Sequence, residues 1–124
     1  IVDAYNANPT SMAAALENFS NVSSPVKIAM LGDMLELGED SLAEHEAVIR
    51  SAVSRGFSLV CFVGREFQAA SGSVSDGPAG STRALFFASS DYLASYLAAE
   101  PLSGATVLIK GSRGTHMEKV IPAL

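Results

Sequence analysis

The chain has 124 residues, 48% hydrophobic and 17% charged, enough for one domain around a single core and too apolar for intrinsic disorder. Eight Lys and Arg against thirteen Asp and Glu give a net charge of −5 with no basic stripe, which argues against a nucleic-acid partner. No apolar run approaches the roughly 20 residues of a membrane span, and the single cysteine, Cys61, precludes an internal disulfide and fits a reducing compartment.

In chain order, Ile1-Val2-Asp3 reads as a strand already under way, with no initiator Met and no basic leader before it. The sequence is therefore expected to be a domain excised from a longer chain. Asn8 is a good helix N-cap, Pro9 suits the first helical position, and Met12, Leu16 and Phe19 then recur on one face. Val26–Leu31 is a continuous apolar strand. Ser41 is expected to cap a second helix in a capping box with Glu44, with Leu42, His45, Ile49 and Val53 inward and Gly56 as the stop.

Leu59–Val63 forms the next strand and buries Cys61, and a short helix is expected around Phe67–Ala70. Ser71–Thr82, with three Gly and one Pro, reads as a surface loop. Leu85–Phe87 is a strand, and Ser89 or Ser90 opens a helix with Tyr92, Leu93, Tyr96 and Leu97 as its apolar positions. After the strand Thr106–Ile109, a last helix opens at Ser112 or Thr115 and carries Met117, Val120 and Ile121.

Strands that are apolar throughout, and not alternating, have both faces covered. With helices between them they predict an α/β, Rossmann-like, doubly wound and mostly parallel sheet of about five to six strands with helices on both faces. In such sheets ligands bind beyond the carboxyl ends of the strands. Three segments occupy those ends: Asp3–Pro9, Gly32–Gly38 and Lys110–His116. The turn Gly64-Arg65-Glu66 after the third strand is short and undistinguished.

The last of the three segments places Lys110 and Arg113 beside two glycines at the start of a helix. That is the outline of an anion site for a carboxylate or phosphate, which the glycines would let approach the backbone closely. The alternative is a basic loop that caps a helix and pairs with surface acids. Asp33 and Glu36 either bind an ammonium group or metal ion, or are solvated loop acids. Asp3 at a strand end suits ribose hydroxyls, whereas Asn8 need do nothing beyond capping. His45 reads as a packed, hydrogen-bonded histidine, since no nucleophile motif accompanies it. His116 has no partner at metal-ligand spacing. No zinc pattern, no G-x-G-x-x-G fingerprint and no G-x-x-x-x-G-K-[ST] phosphate loop occurs, so the chain cannot hold ATP phosphates in the P-loop manner.

Three motifs, Asp-Ala-Tyr-Asn-Ala-Asn-Pro (Asp3–Pro9), Leu-Gly-Asp-Met-Leu-Glu-Leu-Gly (Leu31–Gly38, followed by His45) and Lys-Gly-Ser-Arg-Gly with Met-Glu-Lys (Lys110–Lys119), together resemble the Mur ligase family. Within it they are most similar to the ligases that add D-Ala-D-Ala to UDP-MurNAc-tripeptide in peptidoglycan synthesis. The resemblance spans essentially the whole chain. It implies the C-terminal domain of a three-domain cytoplasmic enzyme, whose central domain holds ATP and Mg²⁺ and activates the tripeptide as an acyl phosphate. It also implies that Asp3, Asn6 and Asn8 contact nucleotide, and that Lys110, Ser112 and Arg113 hold the carboxylate of D-Ala-D-Ala, with Asp33 and Glu36 towards its ammonium end. No catalytic or metal-binding residue is implied within this domain alone, which is expected to be inactive without its central ATPase domain. One departure is Val2, where many relatives carry a second acid. A stand-alone anion-binding module, or the matching domain of a related amide ligase, remains the alternative.

Overall fold

The computed structural model describes residues 2–3, 7–71, 83–100 and 102–124, and for Val2, Asp3 and Arg113 the backbone only. Most of the expected Ser71–Thr82 loop, and Asn6, lie outside the described residues. Five parallel strands form one sheet in the order β1-β5-β2-β3-β4. They are β1 (Val2–Asp3), β2 (Lys27–Gly32), β3 (Leu59–Val63), β4 (Arg83–Phe87) and β5 (Thr106–Lys110). The Rossmann-like α/β expectation holds, with the strand count at its lower bound. Among the described residues β1 is a two-residue edge, and the other four strands carry most of the sheet.

Two apolar layers cover it. On one face α1 (Pro9–Ser20), α2 (Ser41–Val53) and α3 (Arg65–Ala70) bury Met12, Leu16, Phe19, Ile49 and Phe67 against Leu31, Val60, Phe62 and Leu108. On the other, α4 (Ser90–Ala99) and a closing 3₁₀ helix (Met117–Ala123) bury Leu93, Leu97, Met117 and Val120 against Ile28, Met30, Cys61 and Ile109. β3 is buried along its whole length, which explains its unbroken apolar run. Each large side chain taken fully from water contributes roughly 1.5–3 kcal/mol.

Local signals account for most element ends. Asn8 Oδ1 accepts the Ser11 amide at 2.8 Å and Ser11 Oγ accepts the Asn8 amide at 3.0 Å, a complete capping box around Pro9. Ser89 caps α4. Ser41 does not cap α2: residues Gly38–Asp40 form a 3₁₀ turn that runs straight into the helix, and Asp40 already has helical dihedrals. An extended cap residue is therefore missing, and the Ser41 hydroxyl points elsewhere. The inner face of α2 is His45, Val48, Ile49 and Ala52, while Leu42 is exposed. Tyr92 and Ile121 likewise face outward.

The last helix is 3₁₀ throughout, with Pro122 inside it. Proline removes an amide and disfavours α geometry at the residue before it, so i→i+3 bonds take over. Neither Ser112 nor Thr115 opens it; His116, in the left-handed region at φ 53°, does.

Candidate functional site

The direction of travel across the sheet reverses once. β2, β3 and β4 are laid down outward with α2 and α3 on one face, and the chain then returns over the other face through α4 to insert β5 between β1 and β2. The connections leaving β2 and β5 thus diverge to opposite faces, which opens the switch-point crevice between them. In register, Lys110 at the end of β5 lies between Asp3 of β1 and Leu31 of β2. All three segments singled out by the sequence converge there.

Ser112 joins them. Its hydroxyl accepts the Leu35 amide at 3.3 Å and donates to the Ala7 carbonyl at 3.4 Å, linking the second and first segments to the third. Its own amide reaches the Asp33 carbonyl at 3.3 Å, and the Thr115 hydroxyl donates to that same carbonyl at 3.3 Å. The junction has little free volume. A Cβ at Gly111 would sit 2.7 Å from Met117 Cγ, and one at Gly114 2.7 Å from Leu35 Cδ1. At each of these glycines the space a Cβ would take is filled by a side chain from a neighbouring segment.

The Gly32–Gly38 loop holds Asp33 and Glu36 in unlike settings. Asp33 is buried, and its two carboxylate oxygens accept the Glu66 and Phe67 amides, each at 2.9 Å, at the start of α3. Burial pushes its carboxyl pKa up from 3.8, and those two amides pull against that rise. Asp33 is therefore a strut between loops, and it forms no paired carboxylate site with Glu36. Glu36 is exposed at φ 64°, in the left-handed region that disfavours a residue with a Cβ. The turn after β3, undistinguished in sequence, receives the Asp33 carboxylate. Gly64 stands there at φ 120°, and the Asp33 carboxylate fills the place where a Cβ would go.

His45 is fully buried, as the packed-histidine reading expected. Its Nε2 accepts the Met34 amide at 3.0 Å, its Nδ1 lies 2.7 Å from the Ser41 carbonyl, and its ring meets Phe67 edge-on at 4.6 Å. The Ser41 hydroxyl, free of capping duty, lies 3.2 Å from His45 Nδ1 and 2.8 Å from Glu66 Oε1.

Of the other expected site residues, Asn8 is exposed at the mouth and caps α1. Lys110 is buried and engaged with its surroundings, so it is no solvent-facing cation. The backbone of Asp3 and Arg113 borders the crevice, while their side chains and the whole of Asn6 lie outside the described residues. Cys61 is buried in β3, and burial pushes its thiol up to about 12.

Among the described residues no group of three His, Cys, Asp or Glu could hold a metal ion. Among the described residues Asp33 is the one buried carboxylate, and both its oxygens accept hydrogen bonds. These residues do not fit the phosphates and magnesium of a bound ATP.

The family described as "Mur ligase, glutamate ligase domain" matches residues 1–113. The chain belongs to the Mur ligase family. A UDP-N-acetylmuramoyl-tripeptide–D-alanyl-D-alanine ligase from Treponema pallidum is 38% identical across 100% of this Mur ligase chain, which covers 27% of that protein. The Escherichia coli ligase of the same name is 33% identical over 98% of the chain and 26% of its own length. The Mur ligase chain thus spans about a quarter of the relatives it matches. A solved MurF structure from Acinetobacter baumannii superimposes with a TM-score of 0.74 at 30% identity, covering 97% of this chain and 26% of that one. MurF from Thermotoga maritima, solved in complex with ADP, gives 0.73 at 26% identity over 98% of this chain and 26% of that one.

Proposed function

We propose that this chain is the C-terminal domain of a ligase that adds D-Ala-D-Ala to UDP-MurNAc-tripeptide in cytoplasmic peptidoglycan precursor synthesis. The observation that carries the reading is the convergence of three motif-bearing loops on Ser112 at the switch point of the sheet, where this fold class binds ligands. The names of the relatives, and identity that extends over the whole chain, supply the reaction. ATP and Mg²⁺ are held by the remainder of the enzyme, consistent with the absent phosphate loop and with the ADP complex of the Thermotoga maritima enzyme.

This domain's part is to bind and orient. On this reading Arg113 meets the carboxylate of D-Ala-D-Ala, buried Lys110 and Ser112 support that loop from behind, and exposed Glu36 is assigned to the ammonium group. Asp33 acts at one remove, through the loop it anchors. Asp3, Asn6 and Asn8 are assigned to contact the nucleotide held by the central domain. Amide formation from an activated carboxylate needs the amine aligned and water excluded. A separate domain carrying the dipeptide into a closing cleft meets both needs.

The test is made in the intact ligase. Arg113→Ala is expected to raise the KM for D-Ala-D-Ala at least tenfold, as loss of a charge-assisted contact implies, with the KM for ATP little changed. An unaltered dipeptide KM would refute the dipeptide role. Asp3→Ala is expected to weaken ATP use instead, and normal ATP kinetics would refute that assignment.

A further inference from the structure

Three consecutive amides of the Gly32–Gly38 loop are each bound by a different element. The Asp33 amide donates to the Val63 carbonyl of β3 at 3.0 Å, the Met34 amide to His45 Nε2 of α2 at 3.0 Å, and the Leu35 amide to Ser112 Oγ at 3.3 Å. Two of these acceptors belong to the sheet and to the crevice itself. The middle one is a single side-chain atom that reaches in from the helix layer, and it has no solvent-exposed surface.

That geometry also fixes the state of the ring. An atom that accepts an amide proton carries none itself, so the imidazole is neutral, with its proton on Nδ1 and donated to the Ser41 carbonyl at 2.7 Å. The opposite tautomer, or an imidazolium, would set N–H against N–H at Met34. Asp33 Oδ1 stands 3.9 Å from Nε2, beyond hydrogen-bonding reach, in keeping with an unprotonated Nε2.

We propose that His45 is a positioning residue for the dipeptide site: through Nε2 and the Met34 amide it fixes the path of the loop that carries Leu35 to Ser112 and Glu36 to the mouth of the crevice. It touches no substrate. Without this acceptor the Met34 amide is orphaned in a dry environment, and the loop must move to satisfy it. Leu35, the next residue, then pulls on Ser112, which links all three segments. The proposal rests on the reading of this crevice as the dipeptide site.

The test compares His45→Phe with His45→Gln in the intact ligase. Phenylalanine keeps the packing against Phe67 and removes the acceptor, whereas glutamine offers an oxygen at about the reach of Nε2. His45→Phe is expected to raise the KM for D-Ala-D-Ala about tenfold, leaving the KM for ATP and for UDP-MurNAc-tripeptide within about twofold; His45→Gln is expected to recover most of the loss. A dipeptide KM unchanged in His45→Phe, while Arg113→Ala raises it, overturns the role of His45 alone; unchanged in both, it overturns the dipeptide site as well. A fall in activity with all three KM values shifted together and no recovery in His45→Gln marks a merely structural histidine and also overturns the proposal. Should His45→Phe fail to fold, the ¹⁵N spectrum of the unsubstituted enzyme decides: an Nδ1–H ring with bare Nε2 is expected, and an Nε2–H ring refutes the mechanism.

Discussion

Removing the Asp33 carboxylate probes the junction most directly. In Asp33→Ala the Glu66 and Phe67 amides lose their acceptors, at 2.9 Å each, the Phe67 amide in a buried setting and the Glu66 amide in a part-buried one. A buried donor left unsatisfied costs about 1–3 kcal/mol, so two cost about 2–6 kcal/mol. Relief of the buried carboxylate offsets part of this, leaving a net loss of about 2–4 kcal/mol. For a domain of 124 residues, 1 kcal/mol corresponds to roughly 3–5 °C in Tm, so a fall of roughly 6–20 °C is expected in a thermal melt. Asp33→Asn keeps one acceptor and should lose about half as much. The pH dependence carries a sign. Burial raises the Asp33 pKa in the folded state above its ordinary 3.8, so the folded state holds this proton more tightly than the unfolded one. The cost of the buried charge is in full force above the folded pKa and is relieved as pH falls towards 3.8. The stability advantage of the unsubstituted chain over Asp33→Asn should therefore widen on acidification from pH 7 towards 4. An advantage that shrinks over that window, or an Asp33→Ala variant melting within about 2 °C of the parent, would refute the reasoning.

Other perturbations follow from single observations. Gly64→Ala combines φ 120° with a Cβ driven into the Asp33 carboxylate, and should cost about 3 kcal/mol or more or prevent folding; a Tm within a few degrees of the parent would mean the loop has another path. Glu36→Gly removes a Cβ from an exposed left-handed position and is expected to stabilise the chain by about 0.5–1 kcal/mol, read as a rise in urea midpoint at constant slope. Cys61, buried and with its thiol pushed up to about 12, should resist thiol reagents at pH 8 until the protein unfolds; rapid labelling of native protein would contradict its place in β3.

Much of this architecture is legible in the residues. Leu59–Val63 announces a doubly covered strand because five successive apolar side chains leave no wet face. Asn8-Pro9 announces a helix start because cap and first-turn chemistry are local. His45 was recognisable as packed from its place on an apolar stripe, but its acceptor role depends on a loop eleven residues away. The partners of Asp33 lie further still, 33 and 34 residues along, so a bare Asp-Met-Leu-Glu gives no hint that one acid turns in and the other out. Ser41 differs for the same reason: a serine before an apolar run with Glu44 three residues on satisfies the capping pattern, yet a 3₁₀ turn over Gly38–Asp40 runs straight into the helix. Gly64-Arg65-Glu66 carries no sequence signal because its importance lies in what approaches it.

The crevice is thus supported from behind by groups that never meet a ligand. Asp33 ties the β2 loop to α3, His45 ties it to α2, and Ser112 ties it to β5 and to the start of α1. Each tie uses a different atom of a run of three residues, Asp33, Met34 and Leu35, so the loop has no backbone amide in that run left to float. A domain that must carry a dipeptide into a cleft as a rigid body gains from such over-determination, because binding then costs little ordering of the loop itself. Among the described residues, exposed positions with freedom to meet a partner include Asn8 and Glu36 at the mouth and Leu35 over Gly114. On this arrangement, substitutions at the buried ties should alter dipeptide affinity through loop order, whereas exposed substitutions that keep a Cβ, such as Glu36→Gln, should alter it with the melting temperature unchanged. A variant survey reporting both quantities would separate the two groups.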